Sequence, residues 1–199
     1  QLHRRQRQMC IRDSIKNDHK EIPGNPSTAK SSVKKLRTDA TEDSLRVLTI
    51  QDWKFWKDNG YIVIKNAVPK EQAIDTAKFI WEFDDKDPKD PSTWYADARA
   101  EMQMKELAGT GMVEVYNNQH LWNNRQYQKV YDAFVDIWGT EKLWVTIDRA
   151  NLNFPIRPGY EYQGFIHWDY DPDTNPQNVQ GVLALSDQKD ENMGGFQCI

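Results

Sequence analysis

Leu143-Trp144-Val145-Thr146-Ile147-Asp148-Arg149-Ala150-Asn151-Leu152-Asn153-Phe154 sets the expected fold, because here the residue pattern changes from helical spacing to a period of two. On such a strand Val145, Ile147, Arg149, Asn151 and Asn153 share one face, and Trp144, Thr146, Asp148, Ala150, Leu152 and Phe154 share the other. Further strands are expected near 164–169, 179–186 and 195–199, between loops rich in Pro, Asp and Asn. Strands following a helical first half predict a mainly β fold with flanking helices: a jelly roll, one sheet of which the upstream helices cover.

The candidate chemistry lies in the second of these strands, Gly164-Phe165-Ile166-His167-Trp168-Asp169-Tyr170. Residues two apart on a strand point to the same side, so His167 and Asp169 would aim an imidazole and a carboxylate into one space, with Trp168 facing away. Those are two of the three protein ligands of a 2-His-1-carboxylate iron site. Spacing alone is weak support, since His19-Lys20-Glu21 is a similar pair in an unsuitable setting. His3 and His19 lie in a polar tail, and His120 precedes the sheet strands, where a surface or core role suits it better than ligation.

The wider context is more specific. Trp144 to Pro155 precedes the pair, Val179-Gln180-Gly181-Val182-Leu183-Ala184-Leu185 and Gly194-Gly195-Phe196-Gln197-Cys198-Ile199 follow it, and Asp58-Asn59-Gly60-Tyr61-Ile62-Val63-Ile64 stands upstream. Together these stretches resemble the phytanoyl-CoA dioxygenase family of iron(II)- and 2-oxoglutarate-dependent oxygenases, from about Leu48 onward. The resemblance implies a double-stranded β-helix of cupin type, with His167 and Asp169 as metal ligands and Fe(II), 2-oxoglutarate and O2 as reactants. It also implies hydroxylation of an unactivated C–H bond in a small-molecule or acyl substrate. The face carrying Arg149, Asn151 and Asn153 is pocket lining or plain solvent surface by its periodicity; the resemblance favours Asn151 and Asn153 as 2-oxoglutarate contacts, with Leu183 a weaker candidate that also reads as ordinary core. Members of the family carry a second metal-binding His and an anchoring Arg further on, and no His follows His167 here. The jelly roll is therefore expected to be incomplete at its C-terminus and the fragment itself inactive. The competing class is a non-catalytic jelly-roll binding module or inactive relative.

Composition bounds the rest. Residues 1–46 hold 11 Lys and Arg against 6 acids and no aromatic residue, while residues 47–199 hold 15 against 24. The first segment is expected to be a disordered tail, and 47–199 the N-terminal part of an oxygenase-like domain. Arg4-Arg5-Gln6-Arg7-Gln8-Met9-Cys10-Ile11-Arg12-Asp13-Ser14 resembles translated sequencing-adapter read-through, which makes residues 1–14 candidates for non-native sequence. An acidic domain argues against nucleic acid or an anionic membrane as partner and leaves a small-molecule substrate. Cys10 and Cys198 suggest neither a disulfide framework nor a zinc site, and no apolar run is long enough to span a bilayer, so a cytoplasmic protein is expected.

Local signals place the upstream elements. Thr49-Ile50-Gln51-Asp52 has the form of a capping box and Asn59-Gly60 that of a stop, giving a helix of about ten residues. A strand is expected at Tyr61–Lys65. A helix should run from Pro69 to about Phe83, with Ala73, Ala77, Ile80 and Trp81 inward. Asp84 to Pro91 reads as a charged surface loop, whose Asp residues lack calcium-loop spacing. A helix at 98–108, a strand at 112–116, and a helix carrying Tyr127, Val130, Tyr131, Phe134 and Trp138 up to Gly139 complete the expectation.

Overall fold

Among the described residues four α-helices carry the architecture: α1 (Ile50–Asn59), α2 (Lys70–Phe83), α3 (Gln119–Arg125) and α4 (Gln128–Trp138). The computed structural model describes residues 36–95, 110–147, 149–155, 158–159 and 178–189. The helix expected at 98–108 and the strands expected at 164–169 and 195–199 lie outside the described residues.

The helix signals are met by the local chemistry that motivated them. The Thr49 hydroxyl accepts the Asp52 N–H at 3.1 Å, the Asp52 carboxylate accepts the Thr49 N–H at 3.0 Å, and Gly60 ends α1 in the left-handed region at φ 76°. Pro69 precedes α2, where its missing N–H costs nothing. Gly139, at φ 70°, donates its N–H to the Val135 carbonyl and closes α4.

Two hydrophobic clusters sit among these helices. Ile80, Val113, Val115 and Leu121 form the first, with Phe79, Phe83, Ala150, Leu152 and Leu185 packed against it. Leu48, Trp53 and Ile137 form the second, joined by Leu36, Ala40, Leu45, Ile62, Ile64 and Val179. Leu36, Ala40 and Leu45 thus pack against the helices ahead of α1. Residues 178–185 cross from the second cluster to the first, and Gly181 passes close to Phe134, where a Cβ would lie 3.2 Å from the ring.

Buried polar groups fix how the helices sit. Asn124 on α3 donates to the Thr76 hydroxyl on α2 at 2.8 Å and accepts from the Gln72 amide at 2.7 Å, while the Thr76 hydroxyl donates to the Gln72 carbonyl. All of these buried groups therefore have partners, which specifies one pairing of α2 with α3. Asp136 on α4, fully shielded from solvent, accepts the backbone N–H groups of Arg46, Val47 and Leu48 at 2.8, 2.8 and 2.9 Å. A carboxylate taken out of water needs such compensation, and three amides supply it.

The structure overturns the expected mainly β jelly roll. Among the described residues helices account for 40%, and strand pairing is confined to β1 (Met112–Val113) and β2 (Ala150–Asn151), antiparallel with Met112 opposite Asn151 and Val113 opposite Ala150. The strands expected at 61–65 and 179–186 do not form, and of the alternating stretch 143–154 the described residues pair only at Ala150 and Asn151. Alternation reports which side of an extended chain faces a core, and a row of helices satisfies that as well as a sheet does. Ile62 and Ile64 enter the second cluster while Tyr61 and Val63 point outward, with no strand ladder. The period was legible, but its interpretation as sheet was wrong.

Candidate functional site

His167 and Asp169, the expected metal ligands, lie outside the described residues. The strand that leads toward them is described, and it alternates as its sequence does. Ala150, Leu152 and Phe154 turn inward, and Asn151 and Asn153 are exposed. The two amides are thus on one face, the arrangement the sequence predicted, and they point away from the first cluster. Leu183 is half-buried on the crossing segment, between Val179 and Leu185, which reach the two cores.

Asn153 has a packing partner that the sequence did not show. Gly111, at φ 75°, opens β1, and a Cβ built on it would fall 1.8 Å from the Asn153 Oδ1. The Leu152 N–H donates to the Gly111 carbonyl at 2.7 Å, so the backbone passes close here because residue 111 has no side chain.

His120 stands in the first turn of α3, where the Asn118 side chain accepts its backbone N–H at 2.9 Å. Its ring stacks on Phe79, with centroids 5.3 Å apart and planes inclined by 22°, as expected of a packing histidine. Among the described residues no three His, Cys, Asp or Glu side chains converge in a way that would hold a metal ion.

The Asp-rich loop is exposed from Asp87 to Pro91, as expected of a charged surface loop, but its first turn is not. Asp84 and Lys86 are both buried and form an ion pair at 2.8 Å. Asp87 accepts the Lys89 N–H, and Asp90 accepts the Ser92 N–H and hydroxyl at the start of a 3-10 turn (Pro91–Thr93). The Ser92 contacts hold the Asp90 carboxyl below its ordinary value. The aspartates serve as local caps, a use that the spacing Asp-Pro-Lys-Asp-Pro-Ser already suggests.

On the far side of α3, Trp122 and Gln126 with residues 143–147 line a shallow open groove of about 620 Å³. Trp144 and Ile147 stay largely in solvent, 74% and 52% exposed, which is high for side chains of that size.

Comparison with known proteins gives one informative relative. The chain is 29% identical over 141 residues to Ava biosynthesis cluster protein O of Aspergillus versicolor, covering 66% of this chain and 45% of that protein. It therefore spans less than half the length of the curated relative it matches. No protein-family model matches the chain, and no solved structure does. Among the described residues no helix is long and apolar enough to cross a membrane.

Proposed function

We propose that the protein to which this chain belongs is an iron(II)- and 2-oxoglutarate-dependent dioxygenase, similar to the phytanoyl-CoA dioxygenase family, that hydroxylates an unactivated C–H bond of a small-molecule or acyl substrate. The observation that carries the reading is the His167-Trp168-Asp169 triplet in its quoted sequence surroundings. The relationship to a protein of a fungal biosynthesis cluster supports a biosynthetic setting, in which late oxidation of a carbon skeleton is a suitable task.

In this reading His167 and Asp169 hold the metal, and the outward face of β2 and its continuation offers the Asn151 and Asn153 amides as donors to the cosubstrate carboxylates. Leu183 supplies an apolar contact. The bound iron, 2-oxoglutarate and oxygen supply the C–H oxidation, and the protein orients substrate and limits water.

The test is succinate formation from 2-oxoglutarate with iron(II) and ascorbate by the full-length product of the gene. Turnover that disappears in His167→Ala supports the reading. Iron-dependent turnover that is the same with and without His167, or none in the full-length protein, overturns it.

A further inference from the structure

The pairing that holds the Asn151 strand is very short, two residues on each side. A ladder of that length is marginal by itself, and a slip of one residue would carry Asn151 and Asn153 to the opposite face. Something else must fix the register, and the segment from Lys86 to Tyr95 is placed to do so.

We propose that residues 86–95 form a strap, with Trp94 and Tyr95 as positioning residues that clamp the 150–155 strand from its inner side. The Trp94 ring stacks on Phe154 at 5.5 Å with planes 16° apart, Trp81 of α2 meets both rings at 6.0 and 5.6 Å, and Tyr95 packs on Phe154 at 5.8 Å. The Tyr95 hydroxyl donates to the Pro155 carbonyl at 2.6 Å. The Lys86 ammonium lies 5.9 Å from the centre of the Phe154 ring while paired to Asp84. The strap is itself braced: the Trp94 indole N–H donates to the Asp87 carbonyl at 2.8 Å, the Asp87 N–H donates to the Thr93 hydroxyl at 3.0 Å, and that hydroxyl donates to the Asp90 carbonyl at 2.8 Å. Rings on one face of an extended chain cannot follow a one-residue slip, because Phe154 would leave the stack and Asn153 would enter it.

The strap stands on geometry alone. Only its consequence for cosubstrate binding rests on the function proposed above, and the two are tested by separate measurements.

The strap is tested on this chain by hydrogen–deuterium exchange. In Trp94→Ala the amides of residues 150–154 should exchange at least about ten times faster while α1 and α4 change by less than about two-fold, the pattern of a local opening. Trp94→Phe, which keeps a ring against Phe154, should restore slow exchange to within about three-fold. Tyr95→Phe, which removes one hydroxyl and leaves the stack in place, should give a smaller acceleration at the same amides. Unchanged exchange at 150–154 in Trp94→Ala overturns the strap, as does a rise shared equally by all helices or a failure of Trp94→Phe to rescue. The consequence is read in the full-length protein, where Tyr95→Phe should raise the KM for 2-oxoglutarate several-fold and leave kcat near the parental value. A confirmed local opening with an unmoved KM leaves the strap intact and removes the cosubstrate role of the Asn face.

Discussion

Asp136 reaches back across 88 positions of sequence to accept the Leu48 backbone N–H at 2.9 Å, and the same carboxylate takes the N–H groups of Val47 and Arg46. This one side chain fixes where the chain enters α1 relative to α4. It also sets the entry of Leu48 into the second cluster.

Asp136→Ala is therefore expected to be severe. It strands three amides in a dry environment and should cost about 3–5 kcal/mol, whereas Asp136→Asn, which keeps one acceptor, should cost about half of that. Urea unfolding followed by circular dichroism measures both. A loss below about 0.5 kcal/mol for the alanine variant would show that water replaces the carboxylate without penalty.

The network between α2 and α3 predicts a second, smaller effect. Asn124→Ala leaves the Gln72 amide and the Thr76 hydroxyl each short of a partner and should cost about 1–3 kcal/mol. The combined Asn124→Leu, Thr76→Val, Gln72→Leu variant should recover part of the loss, because replacing all the partners with apolar groups removes the unmet hydrogen bonds. Thermal unfolding compares the two, and a triple variant less stable than Asn124→Ala would contradict the argument.

A pH dependence follows from the cap of α1. Bonds from the Thr49 backbone N–H and hydroxyl hold the Asp52 carboxyl below its ordinary 3.8 in the folded state. A depressed folded value means stability that is present above the unfolded value and lost as pH falls through the folded one. The stability gap between the parent and Asp52→Ala should be full near neutral pH and narrow below about pH 4, leaving the part of the cap that does not depend on charge. Denaturant titrations at several pH values measure it, and a gap that widens in acid would reverse the assignment.

Gly111→Ala tests the close approach to Asn153. At φ 75° any side chain is strained, and the added carbon would also displace the Asn153 amide. A loss of about 1–3 kcal/mol is expected. In Gly111→Ala/Asn153→Ala the backbone strain remains while the clash is relieved, so a thermal-unfolding cycle of the two sites should show a favourable coupling. Strictly additive losses would mean that the two residues do not compete for space.

For the proposed chemistry, His167→Ala should abolish iron-dependent 2-oxoglutarate turnover in the full-length protein and leave its circular dichroism unchanged. Asp169→Gly should collapse hydroxylation in the same way. Parental rates in either variant would remove that residue from the ligand set.

Helix ends were legible because their signals are local: Thr49 and Asp52, Pro69, and Gly139 all act within one turn of themselves. The face alternation of Ala150 to Phe154 was legible for the same reason. What failed was the step from an extended stretch to a sheet, since strand partners for 61–65 and 143–147 are a tertiary matter that neither β-branching nor a period can supply. Asp136 escaped notice because an Asp inside an apolar helical run reads as a solvent position unless its distant partners are known. The close approach of Asn153 to Gly111 escaped notice because nothing in its neighbours announces a residue 42 positions earlier.

The crossing segment carries a consequence for how the chain matures during synthesis. Val179 covers the cluster built by Leu48, Trp53 and Ile137, and Leu185 covers the one built by Ile80, Val113 and Leu121, so both cores wait for residues made long after the helices they complete. Until that stretch emerges from the ribosome, α1 to α4 keep apolar surface in water, and the long separation between partners makes closure slow. Closure of the two cores is accordingly a late event in the appearance of the chain, set by residues 178–185 and not by any helix boundary.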